Sequence, residues 1–364
     1  MIKKSVRTEQ HETKHEIKEQ KTITRRNFLK GSLVTVAGVA AGGLLTGCGN
    51  IGETSESSKA ANGTVDSPTG TTDETAGGAS KVYMTTDISP NGLMAAYNAL
   101  GREAKGKVAV KISTGEPGGN YYLSPNLIKD LVQHVSGTIV ECNTAYGGKR
   151  ASTASHLQAA RDHGFTAIAN VDIMDADGST SLPVKNGTHL KEDRVGSHLN
   201  NYDFLIVLSH FKGHAMGGMG GAIKNMSIGI ASSSGKSLIH SAGTATSGFS
   251  MSTPQDDFLE SMAEAAKAVA DYEGDHILYI SVMNNLSVDC DCDSSPAVPT
   301  MKDIGILSSL DPVALDKACV DLVYAAPDGK NLIERIESKN GTHTLDHAEK
   351  IGLGSKTYQL IRNW

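Results

Sequence analysis

Beyond residue 106 the chain alternates between two hydropathy patterns. Apolar runs of five to seven residues at 107–112, 138–142, 166–170, 203–209, 276–282 and 303–307 have the length and β-branched content of strands. Between them lie stretches with apolar residues at helical spacing: Leu127, Ile128, Leu131, Val132 and Val135; Phe258, Met262 and Val269; Val313, Ala314, Ala318 and Leu322. Each starts at a capping residue followed by proline, at Ser124-Pro125, Thr253-Pro254 and Asp311-Pro312. Strands alternating with helices predict an α/β fold, a largely parallel sheet flanked by helices. In such folds ligands bind at the carboxyl ends of the strands.

The first 80 residues follow neither pattern. Thr24-Arg25-Arg26-Asn27-Phe28-Leu29-Lys30 precedes an apolar, Gly/Ala-rich run that ends in Leu45-Thr46-Gly47-Cys48. This resembles a twin-arginine export signal joined to a lipobox, and a run so short and so diluted by glycine suits a cleavable segment better than a spanning helix. The resemblance implies a signal peptide over 1–47, lipid attachment at Cys48, passage through the twin-arginine translocase, and residence on the extracytoplasmic face of the cell membrane. Residues 48–80 are Ser, Thr, Gly, Ala and Asn with scattered acids, a tether composition, which leaves 81–364 as the α/β domain.

Charge sharpens this division. Residues 1–48 hold nine of the 34 Lys+Arg and four of the 40 Asp+Glu, so the remainder carries 25 against 36, a net of −11. An acidic body argues against nucleic acid as a partner.

Candidate chemistry collects in two places. After the apolar run ending at Leu208, the segment 209–225 reads Ser-His-Phe-Lys-Gly-His-Ala-Met-Gly-Gly-Met-Gly-Gly-Ala-Ile-Lys-Asn. Gly217, Gly218, Gly220 and Gly221 admit a ligand close to the backbone, with His210 and Asn225 as further cofactor contacts. Lys212, His214 and Lys224 are the catalytic candidates, since a dehydrated lysine serves as base, nucleophile or anion contact. Lys149 and Arg150 follow the run at 138–142 and reach an anion at the same sheet edge, while Lys236 and His240 lie in a polar stretch able to close over it. The second place is Asp289-Cys290-Asp291-Cys292-Asp293, where alternate residues point the same way and offer two sulfurs to one ion; the spacing looks awkward for a disulfide. Cys319, beside Ala318 and Leu322, reads as a small core residue, and Cys142 as structural or near a site. Asp172, Asp175 and Asp177 read as solvated loop acids, and His156, His163, His189, His198, His343 and His347 as surface or helix-face residues.

The run 210–229, the Asp-Cys-Asp-Cys turn, the segment 303–316 and Ile351-Gly352-Leu353-Gly354-Ser355 together resemble the family called domain of unknown function 362. That resemblance implies an uncharacterised iron-sulfur-centre protein, here without the ferredoxin-like, Cys-x-x-Cys-rich insert of many relatives, for which residues 241–252 stand. The spacings His214 to Lys224 and Lys224 to His240, ten and sixteen residues, are also similar to those of nickel-pincer lactate racemases; that likeness implies Lys224 as cofactor attachment, His240 as metal ligand and His214 as acid/base. Three functional classes follow. The first is a lipid-anchored protein with a metal ion or iron-sulfur cluster held by Cys290, Cys292 and His240, a metal-dependent oxidoreductase with a redox or small-molecule partner. The others are a racemase-like isomerase and a non-catalytic binding lipoprotein.

Overall fold

A computed structural model of the protein describes residues 79–248 and 252–362, so the expected signal peptide, Cys48 and nearly all of the tether lie outside the described residues. The strands are β1 (Ser80–Thr85), β2 (Val108–Lys111), β3 (Thr138–Glu141), β4 (Val171–Ile173), β5 (Ser179–Pro183), β6 (Glu192–Gly196), β7 (Phe204–His210), β8 (Lys212–His214), β9 (Gly218–Gly220), β10 (Ile277–Met283), β11 (Gly305–Ser309) and β12 (Tyr358–Arg362). The helices are α1 (Pro90–Ala99), α2 (Pro125–His134), α3 (Thr153–Asp162), α4 (Ala222–Met226), α5 (Ser233–His240), α6 (Gln255–Glu273), α7 (Pro312–Ala325), α8 (Lys330–Ser338) and α9 (His343–Lys350). None of the helices among the described residues is long and apolar enough to cross a membrane.

Eight strands form the main sheet in the order β12-β1-β11-β10-β7-β2-β3-β4. Only β11 runs antiparallel to its neighbours, so the fold is α/β with a largely parallel sheet. The central strands are buried on both faces, and their two-residue period divides them between two cores. Ala109, Leu205 and Ile277 stand in register and pack into one core with residues of α4, α6, α7, α8 and α9. Val110, Ile206 and Leu278, one residue on, face the other, which α1 and α2 cover. These two cores hold the strand ends rigidly, and the site is built on those ends.

Local expectations met mixed outcomes. Asp311 caps α7, its carboxylate accepting from the backbone N–H groups of Val313 (2.9 Å) and Ala314 (3.0 Å). Ser124 makes no side-chain cap bond, and α6 starts after Pro254, one residue later than a Thr253 cap requires. The strand expected at 166–170 is a 3-10 turn over Phe165–Ala167, with β4 following it. Gly164 (φ 87°) turns the chain, and none of residues 166–170 is fully buried, which leaves no anchors for a strand. Two histidines expected on the surface are interior: His156 is buried near Glu141, and His347 is buried against Glu264. The loop acids are also engaged, Asp172 and Asp177 with His198, and Asp175 with the backbone N–H groups of Asn143 and Ser233.

Candidate active site

The carboxyl ends of β2, β3, β7 and β10 open into a cavity of about 610 Å³. Lys111 ends β2, Glu141 ends β3, and Ser209 and His210 end β7; the loop after β10 supplies Cys290, Asp291 and Cys292 to the wall. The position agrees with the general rule for parallel sheets. The glycine-rich segment does not form a loose cradle. It folds into a β8–β9 hairpin, pairing Lys212 with Gly220 and His214 with Gly218, and then enters α4.

Three residues singled out from the sequence, His214, Lys224 and His240, line this one cavity. His214 is buried, and its Nδ1 accepts a hydrogen bond from the Gly217 N–H at 2.8 Å. The neutral ring therefore carries its proton on Nε2. Burial, with the positive charge of Lys224 and the nearby His240, holds its pKa well below the usual histidine range. His240 is arranged the other way: its Nδ1 donates to the Lys236 carbonyl at 2.7 Å, which makes Nε2 the lone-pair nitrogen. Burial lowers its pKa to about 4, so at neutral pH it is an uncharged potential metal ligand. Lys224 is half-buried, makes no ion pair among the described residues, and is lowered to about 8, by burial first and by Lys111 next. At pH 7 that leaves about one amine in ten neutral, against about one in 2,500 for an unperturbed lysine.

Lys224 is placed by a neighbouring element. The Asp316 carboxylate on α7 accepts from the first backbone N–H groups of α4, Ala222 at 2.7 Å and Ile223 at 2.9 Å. Gly221 is required there because a Cβ would sit 2.2 Å from Asp316 Oδ1. Asn225, expected to touch a cofactor, lines the cavity and ties its wall together: Nδ2 donates to the Lys111 and Leu208 carbonyls and to Ser209 Oγ, and Oδ1 accepts from Lys111 Nζ.

Lys212 and His210 also line the cavity, and each is held by protein partners. Both are tied to buried Asp291, Lys212 by an ion pair to Oδ1 and His210 Nδ1 at 3.3 Å from Oδ2, while His210 Nε2 donates to the Asn284 carbonyl. Gly217 and Gly218 lie outside the cavity wall, whereas Gly220 and Gly221 belong to it. Gly218 (φ 76°) opens β9 just after the hairpin turn, where it packs on Ile336 and Gly341. Lys149 is exposed and contributes only its backbone N–H, to Glu116. Arg150 is in the site, its guanidinium held by Glu116 at 3.1 Å and Glu141 at 3.4 Å.

The Cys290 and Cys292 sulfurs, expected as a pair of thiolates, are joined in a disulfide. They and a ring nitrogen of His214 all lie within 4.8 Å of one another. Cys142 also lines the cavity, its thiol donating to the Ile230 carbonyl and raised to about 12 by burial, and Cys319 is buried in α7 as expected. Among the described residues no set of four thiols converges on an iron-sulfur cluster.

Lys111, Glu116 and Glu141 escaped the sequence reading. Lys111 and Glu141 are charged residues closing otherwise apolar strands, Val-Ala-Val-Lys and Thr-Ile-Val-Glu, and that placement was the available signal. The Lys111 Nζ lies 3.9 Å from Glu141, and burial lowers it to about 8. Burial would raise Glu141, but Arg150 and Lys111 outweigh it and hold the carboxyl well below its ordinary value. The cavity wall carries Lys111, Arg150, Lys212, Lys224 and Lys236 together with Glu116, Glu141, Asp289, Asp291 and Asp293, and neither Lys224 nor Lys236 has a carboxylate within 4.0 Å among the described residues. Those two amines are the charges placed to meet an anionic ligand.

Comparison with known proteins assigns the family. Residues 108–321 match the model described as Domain of unknown function (DUF362). The chain belongs to that family. Residues 22–42 match the TAT (twin-arginine translocation) pathway signal sequence, so the protein is one exported across the cytoplasmic membrane. No curated protein matches the chain in sequence. Among solved structures it is similar to the lactate racemase apoprotein from Thermoanaerobacterium thermosaccharolyticum, with 15% identity, a TM-score of 0.36, and coverage of 56% of this chain and 50% of the racemase. It is also similar to a protein from Thermotoga maritima, with 12% identity, a TM-score of 0.33, and coverage of 72% and 58%. The DUF362 chain therefore spans about half the length of the racemase and somewhat more of the second protein.

Proposed function

We propose that this exported DUF362 protein is a lipid-anchored isomerase of small anionic hydroxy acids, whose cavity holds a nickel-pincer-type cofactor joined to Lys224 and ligated by His240. One observation carries the reading: His214 and His240 are fixed in opposite tautomers in the cavity that also contains a half-buried lysine with a depressed pKa. The donor set suits such a group. Lys224, through its neutral amine, would hold the group covalently, and His240, with its lone pair on Nε2, would ligate a borderline metal. When bound, the cofactor supplies a reversible hydride acceptor for the substrate α-carbon.

The remaining tasks fall to this chain's own residues. His214 presents its Nε2–H in the cavity, where it would donate a hydrogen bond to the substrate oxygen. Arg150, fixed by Glu116 and Glu141, and Lys111 orient the substrate carboxylate. A cavity of about 610 Å³ accommodates a nucleotide-sized group together with a small acid. The lipobox at Cys48 would keep the enzyme at the outer face of the membrane.

The test is mass and metal analysis of protein made in a host that builds the cofactor. The reading expects an adduct mapping to Lys224, stoichiometric nickel, loss of both in a folded Lys224→Arg variant, and loss of nickel with retention of the adduct in His240→Ala. Unmodified Lys224 in nickel-free wild-type protein from such a host would contradict it.

A further inference from the structure

The Cys290–Cys292 disulfide is poorly suited to a stabilising role. A cross-link stabilises chiefly by restricting the unfolded chain, and the restriction grows with the loop that is closed. Here the cysteines are two residues apart, so the restriction is about half that of a 15-residue loop. The loop is also anchored without it. Asp291 is held by Lys212 and His210, and its carbonyl accepts from the Glu116 N–H at 2.7 Å. Arg335 donates to the Val288 carbonyl at 2.6 Å and to Asp289 at 3.1 Å, and Tyr146 Oη donates to the Cys292 carbonyl at 3.2 Å. A disulfide with little structural work, on the wall of the cavity at the strand ends and beside His214, is placed as a chemical group.

We infer that Cys290–Cys292 is a redox-active disulfide that exchanges with a small dithiol or a dithiol protein, with Cys292 the sulfur attacked and Cys290 the leaving thiolate. The two sulfurs are not equivalent. Both line the cavity, but Cys290 is buried at 8% exposure whereas Cys292 is half-buried. Cys290 Sγ accepts a hydrogen bond from the Cys292 N–H at 3.4 Å, which stabilises negative charge on that sulfur as it departs. In the first step the reductant's thiolate bonds to Cys292 Sγ and the Cys290–Cys292 bond breaks, its electron pair leaving on Cys290. In the second, the reductant's other thiolate attacks its own sulfur in the mixed disulfide and releases Cys292. The reductant is oxidised to a disulfide, the protein gains two electrons, and the two protons from the reductant's thiols end on Cys290 and Cys292. The exchange lies beyond the isomerase reading and needs neither Lys224 nor His240.

The experiment treats native full-length protein with dithiothreitol redox buffers, traps thiols by alkylation and maps them by peptide mass. Expected are two labels, at Cys290 and Cys292, with Cys142 and Cys319 protected, an unchanged melting temperature, and the same result in Lys224→Arg. Resistance to reduction until the protein is denatured overturns the inference. The single variants test the asymmetry: with an aromatic disulfide reagent, Cys290→Ser, which leaves the accessible thiol, should react at least about tenfold faster than Cys292→Ser. Equal rates overturn the assignment of the attacked sulfur.

Discussion

Asp291 ties the cysteine loop to the β8–β9 hairpin, and Asp291→Asn removes its charge while keeping its shape. Burial alone would raise the Asp291 pKa, but Lys212 and His210 outweigh it and bring the carboxyl down from 3.8 to about 2. At 1.36 kcal/mol per pKa unit this is about 2 kcal/mol of stability at neutral pH. Breaking a buried pair by removing one partner costs about 3–5 kcal/mol, because the remaining charge is uncompensated. Lys212 relieves part of that cost by shedding its proton, since burial already lowers its pKa. The expected loss is therefore about 2–4 kcal/mol, measured by urea denaturation at pH 7. The folded-state pKa is depressed, so the contribution is complete above the unfolded value near 4 and disappears as the pH falls through about 2. Wild type and variant should converge in acid. Adding Lys212→Met should restore part of the loss, because an apolar replacement leaves no stranded charge. A variant within about 0.5 kcal/mol of wild type at pH 7 would refute the buried pair as the anchor of this loop.

Three further outcomes follow from the same geometry. Asp316→Ala strands the Ala222 and Ile223 N–H groups and should cost about 2–4 kcal/mol in urea denaturation; a loss under about 0.5 would show that α4 is not held from α7. Reductive methylation of Lys224 should rise with pH to a plateau with a midpoint near 8, whereas a midpoint above 10 would mean the amine is solvated like a surface lysine. Replacing Arg25 and Arg26 together by Lys should leave precursor in the cytoplasm, and Cys48→Ala should export without lipid label; unaffected export in the first variant or labelled protein in the second would remove the corresponding role.

The strands of the central sheet were legible because burial on both faces writes continuous apolar runs, as in Phe204–His210 and Ile277–Met283. The short pieces were not. β8 and β9 have three residues each in a glycine-rich segment, and β12 is an edge strand with no fully buried residue. Within the site, His214, Lys224 and His240 were found by type and spacing, and Arg150 by its position after a strand. Lys212, His210 and Asn225 were also chosen by type, yet their partners, Asp291, the Asn284 carbonyl and Lys111, come from elements that only the fold brings near. Asp316 lies 94 residues from the N–H it caps, and no local pattern marks that role. The disulfide is not legible in the sequence, because the spacing of Cys290 and Cys292 alone does not fix the turn between them.

The opposed tautomers of His214 and His240 are the core of this account, and nitrogen-15 NMR of the two imidazoles in the purified protein at pH 7 reads them directly. The structure predicts His214 protonated on Nε2 and not on Nδ1, and His240 protonated on Nδ1 and not on Nε2, both rings neutral. Matching tautomers in the two rings, or a charged imidazolium at either position, would contradict it.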